Sequence, residues 1–200
     1  MPALLTSPLL QSIYAEELRM RNAISIQRSP VVDGFQLGPW KFGRGELIMA
    51  SSWHEARNRE TWNEMGRLGE RHDVEEFWAE RFVSYSDDPT SGPKKVDAAK
   101  VRGGEEAEKV AGAGKEEVKL RFTPEKVTGQ FIPYGGGENI CPGRFYAKQE
   151  ALAGMALFLS KFEIEVDEQA VVEPNMDQFG FGVMAPKGKI AARMRRRKVE

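Results

Sequence analysis

Apolar and polar positions change texture several times along the chain, and each change predicts a different kind of element. Leu9, Leu10, Ile13, Leu18 and Met20 supply apolar faces behind Ser7-Pro8, a capping side chain followed by a ring suited to the first helical position. A first helix is therefore expected down to about Arg21. Between Ile24 and Ser51 the pattern shortens to β-type triplets: Ile24-Ser25-Ile26, Phe35-Gln36-Leu37, Trp40-Lys41-Phe42 and Leu47-Ile48-Met49. Gly38-Pro39 and Gly43-Arg44-Gly45 punctuate them as turns, which predicts a small antiparallel meander. Residues 52–85 keep only weak periodicity but carry Trp53, Trp62, Phe77, Trp78, Phe82 and Tyr85, so this stretch reads as irregular yet packed.

From about Ser86 to Thr128 the chain turns to Lys, Glu, Gly and Ala, with Phe122 as its one aromatic. Such a segment buries too little apolar surface to order itself, and it is expected to be a charged, disordered insert. Alternating charge signs are compatible with a transient helix, but a solvated linker is the reading taken. Phe131 to Ile140 is a glycine-rich loop. Gly143 to Lys161 follows as a helix, with Leu152, Met155, Ala156 and Leu159 spaced for one buried face. Phe162 to Val166 alternates apolar and acidic residues as a strand does. Phe179 to Met184 and Ile190 to Met194, joined through Pro186-Lys187-Gly188, predict a terminal hairpin. The organisation expected is residues 1–85, an insert at 86–128, and residues 129–200, all within one α+β domain.

Composition narrows the function classes. Lys+Arg 29 against Asp+Glu 30 leaves a net charge of -1, which gives no global field to attract nucleic acid, and no nucleic-acid partner is expected. One cysteine excludes an internal disulfide and any zinc or iron–sulfur site built on several thiolates. The longest apolar run, Ala151 to Leu159, is too short to span a bilayer, and the start of the chain does not read as a secretory signal. The basic run at 193–198 reads as a solvated strand end, with an acidic redox partner or a membrane surface as the alternative.

That single cysteine, Cys141, sits in FIPYGGGENICPGRFYAKQE, residues 131–150. Glycines at 135, 136 and 137 permit a close approach that a Cβ would forbid, so a flat bulky group could lie on the loop. Pro142 is suited to start a helix whose N-terminal N–H groups favour a thiolate. A thiolate so placed serves as a metal ligand or a nucleophile. Nucleophilic catalysis would need a histidine base, and His54 and His72 read more naturally as surface or packing residues. The loop lacks the Gly-Lys-Ser/Thr ending of a phosphate-binding loop. A buried structural cysteine is the bland alternative.

The same segment resembles the haem-thiolate loop of the cytochrome P450 family, Phe-Gly-x-Gly-x-Arg/His-x-Cys-x-Gly with an alanine further on. Tyr134, Gly135, Gly137, Cys141, Gly143 and Ala147 fall on that pattern in register. Two more family features stand in the right order: an ExxR pair at Glu16 and Arg19, and a PERF-like segment, EEFWAERF, in which Arg81 matches the arginine closing a Glu-Arg-Arg network. The resemblance covers essentially the whole chain apart from the insert and is close to fungal members.

The resemblance implies a haem b cofactor with Cys141 as axial thiolate and catalytic centre. Tyr134, Gly135, Gly137, Asn139, Pro142, Gly143 and Ala147 would contact that cofactor, and Glu16, Arg19 and Arg81 would form the structural network. It further implies O₂-dependent hydroxylation of a lipophilic small molecule, a donor of the NADPH-cytochrome P450 reductase type, and a place on the cytoplasmic face of the endoplasmic reticulum. Ile24 to Arg28 and Phe179 to Phe181 fall where the family places substrate-facing residues. Asn139 departs from the usual Arg or His and supplies a donor without charge. Asn139 with Tyr134 is similar to the branch holding sterol 7α- and 12α-hydroxylases and prostacyclin synthase, a pointer to steroid-like substrates. Beginning at the ExxR helix, the chain is expected to be the C-terminal portion of the fold, without the oxygen-activating helix. The alternative reading is a non-catalytic remnant or gene-model fragment with weak haem binding.

Overall fold

The computed structural model describes residues 5–96, 117–167 and 172–198. Helix α1, Pro8–Arg21, begins where expected. Ser7 Oγ accepts the Leu10 N–H at 3.4 Å, proline occupies the first turn, and Asn22 turns extended to end it. Its inward face is not the apolar one. Ser12, Ala15, Glu16, Leu18 and Arg19 are buried, whereas Leu9 is 40% exposed.

The β-type triplets form, but not as a meander. Strand β2 (Ser25–Arg28) pairs antiparallel with β5 (Ile48–Ser51), and the hairpin of β3 (Phe35–Leu37) with β4 (Trp40–Phe42) is nested between them without joining them. Ahead of them, β1 (Asn22–Ala23) continues directly from α1. A one-turn helix, α2 (Ser52–Glu55), leads into the aromatic stretch, which packs as expected. Trp62 and Phe82 are fully buried with Ala15, Val74 and Val127, and Phe122 and Phe131 close over them. Their rings meet edge-on or tilted, Trp62 and Phe82 at 5.6 Å and Phe82 and Phe131 at 4.9 Å between centroids, as ring quadrupoles prefer.

This core corrects the expected insert at both of its ends. Strand β6 (Val83–Tyr85) pairs with β7 (Leu120–Phe122), Ser91 and Gly92 lie buried beneath the turn after β6, and a 3-10 turn at Pro124–Val127 delivers Val127 to the core. Phe122 and Val127 anchor a stretch whose average composition hides them. Residues 97–116, the rest of the expected insert, lie outside the described residues.

Helix α3 (Arg144–Lys161) starts one residue later than expected, with Gly143 as its cap. Of its four spaced apolar residues only Leu152 is fully buried, and Leu159 is 46% exposed. The expected terminal hairpin does not form. Strand β9 (Gly182–Val183) pairs with β1, and β10 (Ala192–Arg196) pairs with β8 (Phe162–Val166). Charge selects the second pairing: Arg193 lies opposite Glu165 and Arg195 opposite Glu163 in the ladder. The basic run at the C-terminus is thus partly answered by the acids of β8.

Beside the aromatic core lies a buried ionic cluster. Glu16 and Arg81 are fully buried and Arg19 is 1% exposed. Arg19 grips both Glu16 oxygens at 2.7 and 2.8 Å, and Arg81 Nε donates to Glu16 Oε1 at 2.9 Å. The Trp78 amide donates to the same oxygen at 3.1 Å. The guanidinium groups also donate to carbonyls, Arg19 to Ala56 and Glu76 and Arg81 to Asn63, Asp73 and Glu76, and Arg19 Nη2 donates to Met20 Sδ at 2.9 Å. Burial pulls the Arg81 pKa down, and the Glu16 charge acts against it.

Two predictions follow from this packing. Glu16→Ala leaves two buried guanidinium groups uncompensated and is expected to cost about 3–5 kcal/mol in urea unfolding, against less than 1 kcal/mol (order of magnitude) for the exposed Glu165→Ala. Asp73, exposed, is pulled from 3.8 to about 2, first by the Arg59 side chain and then by the Glu75 amide. Its pKa is lowered by folding, so its contribution is complete above its unfolded value and disappears as pH falls through about 2. Urea midpoints measured downward from neutral pH should fall less steeply below pH 4 (about the unfolded value) for Asp73→Asn than for the parent.

Candidate functional site

The segment around Cys141 is a loop bound to itself and to three other elements. The Cys141 amide donates to the Tyr134 carbonyl at 2.9 Å, closing the loop, and the Ile140 amide donates to the Gly137 carbonyl at 3.2 Å. Gly135 and Gly137 hold φ of 80° and 67°, a left-handed backbone that excludes most side chains. Gly137–Asn139 makes one 3-10 turn. Cys141 itself is exposed, which sets aside the buried structural cysteine.

The surroundings of the thiol suit a bulky ligand. A Cβ on Gly143 would stand 3.8 Å from Cys141 Sγ, so its absence keeps the sulfur's flank open. Pro142 lies in the turn before α3 rather than in the helix, and no acidic side chain or cap bond answers the N–H groups of the first turn of α3. That leaves partial positive charge beside the cysteine. Asn139 is exposed. Ala147 lies on α3 and lines an apolar cavity of about 380 Å³ with Ile13, Leu18, Leu152 and Val183.

Three anchors position the loop. Tyr134 shares a hydroxyl hydrogen bond of 2.8 Å with Tyr14 of α1, and burial, followed by this bond, raises its pKa. Asn22, at the start of β1, donates to the Pro133 carbonyl. Arg28, ending β2, donates through Nη2 to the Gly136 carbonyl at 2.7 Å, and Ile26 Cδ1 stands 3.4 Å from where a Gly136 Cβ would be. The segment Ile24 to Arg28 thus borders the loop. Pairing of β9 with β1 brings the Phe179 to Phe181 stretch to the start of the same segment, where Trp53 meets Phe179 at 5.7 Å.

Glu16, Arg19 and Arg81 gather in one cluster, joined to the loop through α1 and Tyr14 and not in contact with Cys141. Neither histidine is a base for the thiol. His72 stacks on Trp78 at 4.6 Å, and no hydrogen bond among the described residues links His54 or His72 to Cys141. Sequence reading passed over Arg28 as a partner of the loop. Its signal was a lone cation ending a strand in a segment already marked as facing the site.

Comparison with known proteins adds to this geometry. The family model "Cytochrome P450" matches residues 119–192. The cytochrome P450 monooxygenase efuG of Hormonema carpetanum is 39% identical over 193 residues, 96% of this chain and 32% of that protein. The cytochrome P450 monooxygenase fsoE of Humicola fuscoatra is 38% identical over 198 residues, 98% of this chain and 32% of that protein. This chain therefore spans about a third of the length of these relatives. The solved structure of retinoic acid bound cyanobacterial CYP120A1 superposes with a TM-score of 0.61 over 98% of this chain and 35% of that one, at 15% identity, a likeness of fold.

The loop's backbone generates its own prediction. A Cβ on Gly135 would meet only the Asn139 carbonyl oxygen, at an ordinary contact distance of 3.9 Å, so the main cost of a substitution there is backbone strain. Gly135→Val should cost at least about 1–2 kcal/mol in denaturant unfolding, and Gly135→Asn, whose side chain tolerates the left-handed region, clearly less.

Proposed function

Because this chain belongs to the cytochrome P450 family, we propose that it forms the thiolate side of a haem monooxygenase, in which Cys141 Sγ would hold the iron of haem b. The observation that carries the reading is the exposed thiol on a glycine loop whose flank is kept clear by Gly143. When bound, the haem supplies the iron at which dioxygen is activated, using electrons from a reductase.

The chain's own residues hold and orient that group. Gly135 and Gly137 let the loop lie close to a planar surface, and Pro142 and Gly143 fix the turn that presents the sulfur. Tyr134 is the aromatic neighbour of the thiolate, and Ala147 offers a small side chain on the following helix. Asn139 would offer a haem carboxylate a neutral hydrogen-bond donor. Arg28, exposed and already at the Gly136 carbonyl, supplies the cation that Asn139 does not. Glu16, Arg19 and Arg81 keep α1 and the loop in place and perform no chemistry.

Hydroxylation of a lipophilic, steroid-like small molecule is the proposed reaction of the whole protein. A reductase of the NADPH-cytochrome P450 reductase type would donate electrons at the endoplasmic reticulum membrane. The resemblance of the Tyr134 and Asn139 positions to the branch holding sterol 7α- and 12α-hydroxylases and prostacyclin synthase supports the substrate class. The 200 residues read as the C-terminal third of that fold, with the catalytic helix and the opposite face of the haem pocket belonging to the rest of the relatives' length. No described helix is long and apolar enough to cross a membrane.

Reconstituted with haem, reduced and exposed to carbon monoxide, the chain is expected to give the red-shifted Soret band of thiolate ligation. Cys141→Ala should abolish the band while leaving the far-UV circular dichroism unchanged. Folded parent protein that shows no such band would overturn the reading. Arg28→Ala should weaken haem binding about tenfold, the scale of one lost charge-assisted hydrogen bond.

A further inference from the structure

A second concave feature opens between α1, the β7 strand with its following 3-10 turn, and the first turns of α3. Its volume is about 330 Å³, within the range of small-molecule sites, and Phe122 and Phe131 are among its apolar walls. Tyr14, Tyr134, Arg144 and Lys148 are also among the residues around this mostly apolar cavity.

The two cations stand one helical turn apart, and their recorded hydrogen-bond partners are neutral. Arg144 Nη1 donates to the Cys141 carbonyl at 2.9 Å, and Lys148 Nζ donates to Gln11 Oε1 at 2.6 Å. Among the described residues no carboxylate forms an ion pair with either, although ion pairs elsewhere on this chain are common. Lys148 Nζ also stands 4.8 Å from the centre of the Phe122 ring. It is half-buried, and desolvation disfavours its charge. An ammonium in that position gains most from an anion that brings its own apolar cover.

The tyrosine pair adds a donor. Two hydroxyls joined by one hydrogen bond use one of their two hydrogens, so a second O–H remains free to donate to a ligand beside the pair. Positive charge, a spare hydroxyl donor and aromatic walls together define a ligand with a negative head and an apolar body.

We propose that this cavity binds a small amphiphilic anion, its carboxylate on Arg144 and Lys148 and its apolar body against Phe122 and Phe131. The site goes beyond the haem reading and does not rest on it, since neither its charges nor its walls require Cys141 to hold a metal. Tyr134 and Arg144 bracket Cys141 in the chain, so an occupant also braces the cysteine loop from one side.

The test uses the 200-residue chain without haem and titrates it calorimetrically with decanoate, with decanol, and with a soluble oligoglutamate peptide. Decanoate should saturate a single site and bind at least about tenfold more tightly than decanol, the scale of a hydrogen bond to a charged group. Lys148→Gln should weaken decanoate about tenfold and leave decanol unchanged, Lys148→Arg should keep most of the affinity, and Tyr14→Phe should weaken it by a smaller factor. Arg144→Gln is the second charge variant should Lys148→Gln fail to fold. Alkylation of Cys141 by iodoacetamide should slow when decanoate is bound. Equal affinity for decanoate and decanol, or charge variants that fold and leave decanoate binding unchanged, would overturn the proposal. Tighter binding of oligoglutamate than of decanoate would also overturn it and assign the cations to an acidic protein surface.

Discussion

A carboxylate removed from water must be met on its lone pairs by groups that stay put, and Glu16 is met from three directions. Arg19 comes from its own helix, while Arg81 and the Trp78 amide come from 65 and 62 residues further along. The guanidinium groups also donate to several carbonyls of the segment 56–76, which has little regular structure of its own. That irregular chain is held by side chains reaching its backbone, in place of a ladder. The inward face of α1 is accordingly polar, and the Ser12 hydroxyl serves the same end by accepting the Phe82 amide at 3.0 Å.

From this foundation the cysteine loop stands outward. Its links to the interior run through Tyr14, Asn22 and Arg28, all from α1 and the strands directly after it. The division of labour is physical: the ionic cluster gives α1 a fixed position, and α1 passes that position to an exposed loop whose glycines could not hold it unaided. Helix α3 carries the consequence further. One side of it meets α1 near Leu152, while Phe145, Tyr146, Leu157 and Phe158 remain exposed.

Elements whose cause is local were legible in the sequence. Ser7-Pro8 marked the start of α1, and the glycines and proline around Cys141 marked a loop, whereas the cluster of Glu16, Arg19 and Arg81 was implied by the family resemblance alone. What was not legible depended on partners far along the chain. Nothing near Gly182 announces that it pairs with Ala23, and β10 leaves its sequence neighbour because Glu163 and Glu165 offer better partners. The stretch before the cysteine loop was misread for a different reason. Averaging over a charged region concealed Phe122 and Val127, two apolar residues that the aromatic core recruits.

The sheets among the described residues all have two strands, so each strand in them keeps one side of its backbone unpaired. Such open edges invite a neighbouring molecule to add a strand. The pair β8 and β10 is guarded: Arg193, Arg195, Glu163 and Glu165 stud it with charges that an incoming strand would have to match. The pair β2 and β5 has no such guard along Ile26, Ile48 and Met49, and Met49 is 56% exposed. The β3 and β4 hairpin is likewise apolar and open, with Leu37 opposite Trp40 and both exposed, so self-association of this polypeptide would engage these two ribbons and spare the charged ribbon at its C-terminus.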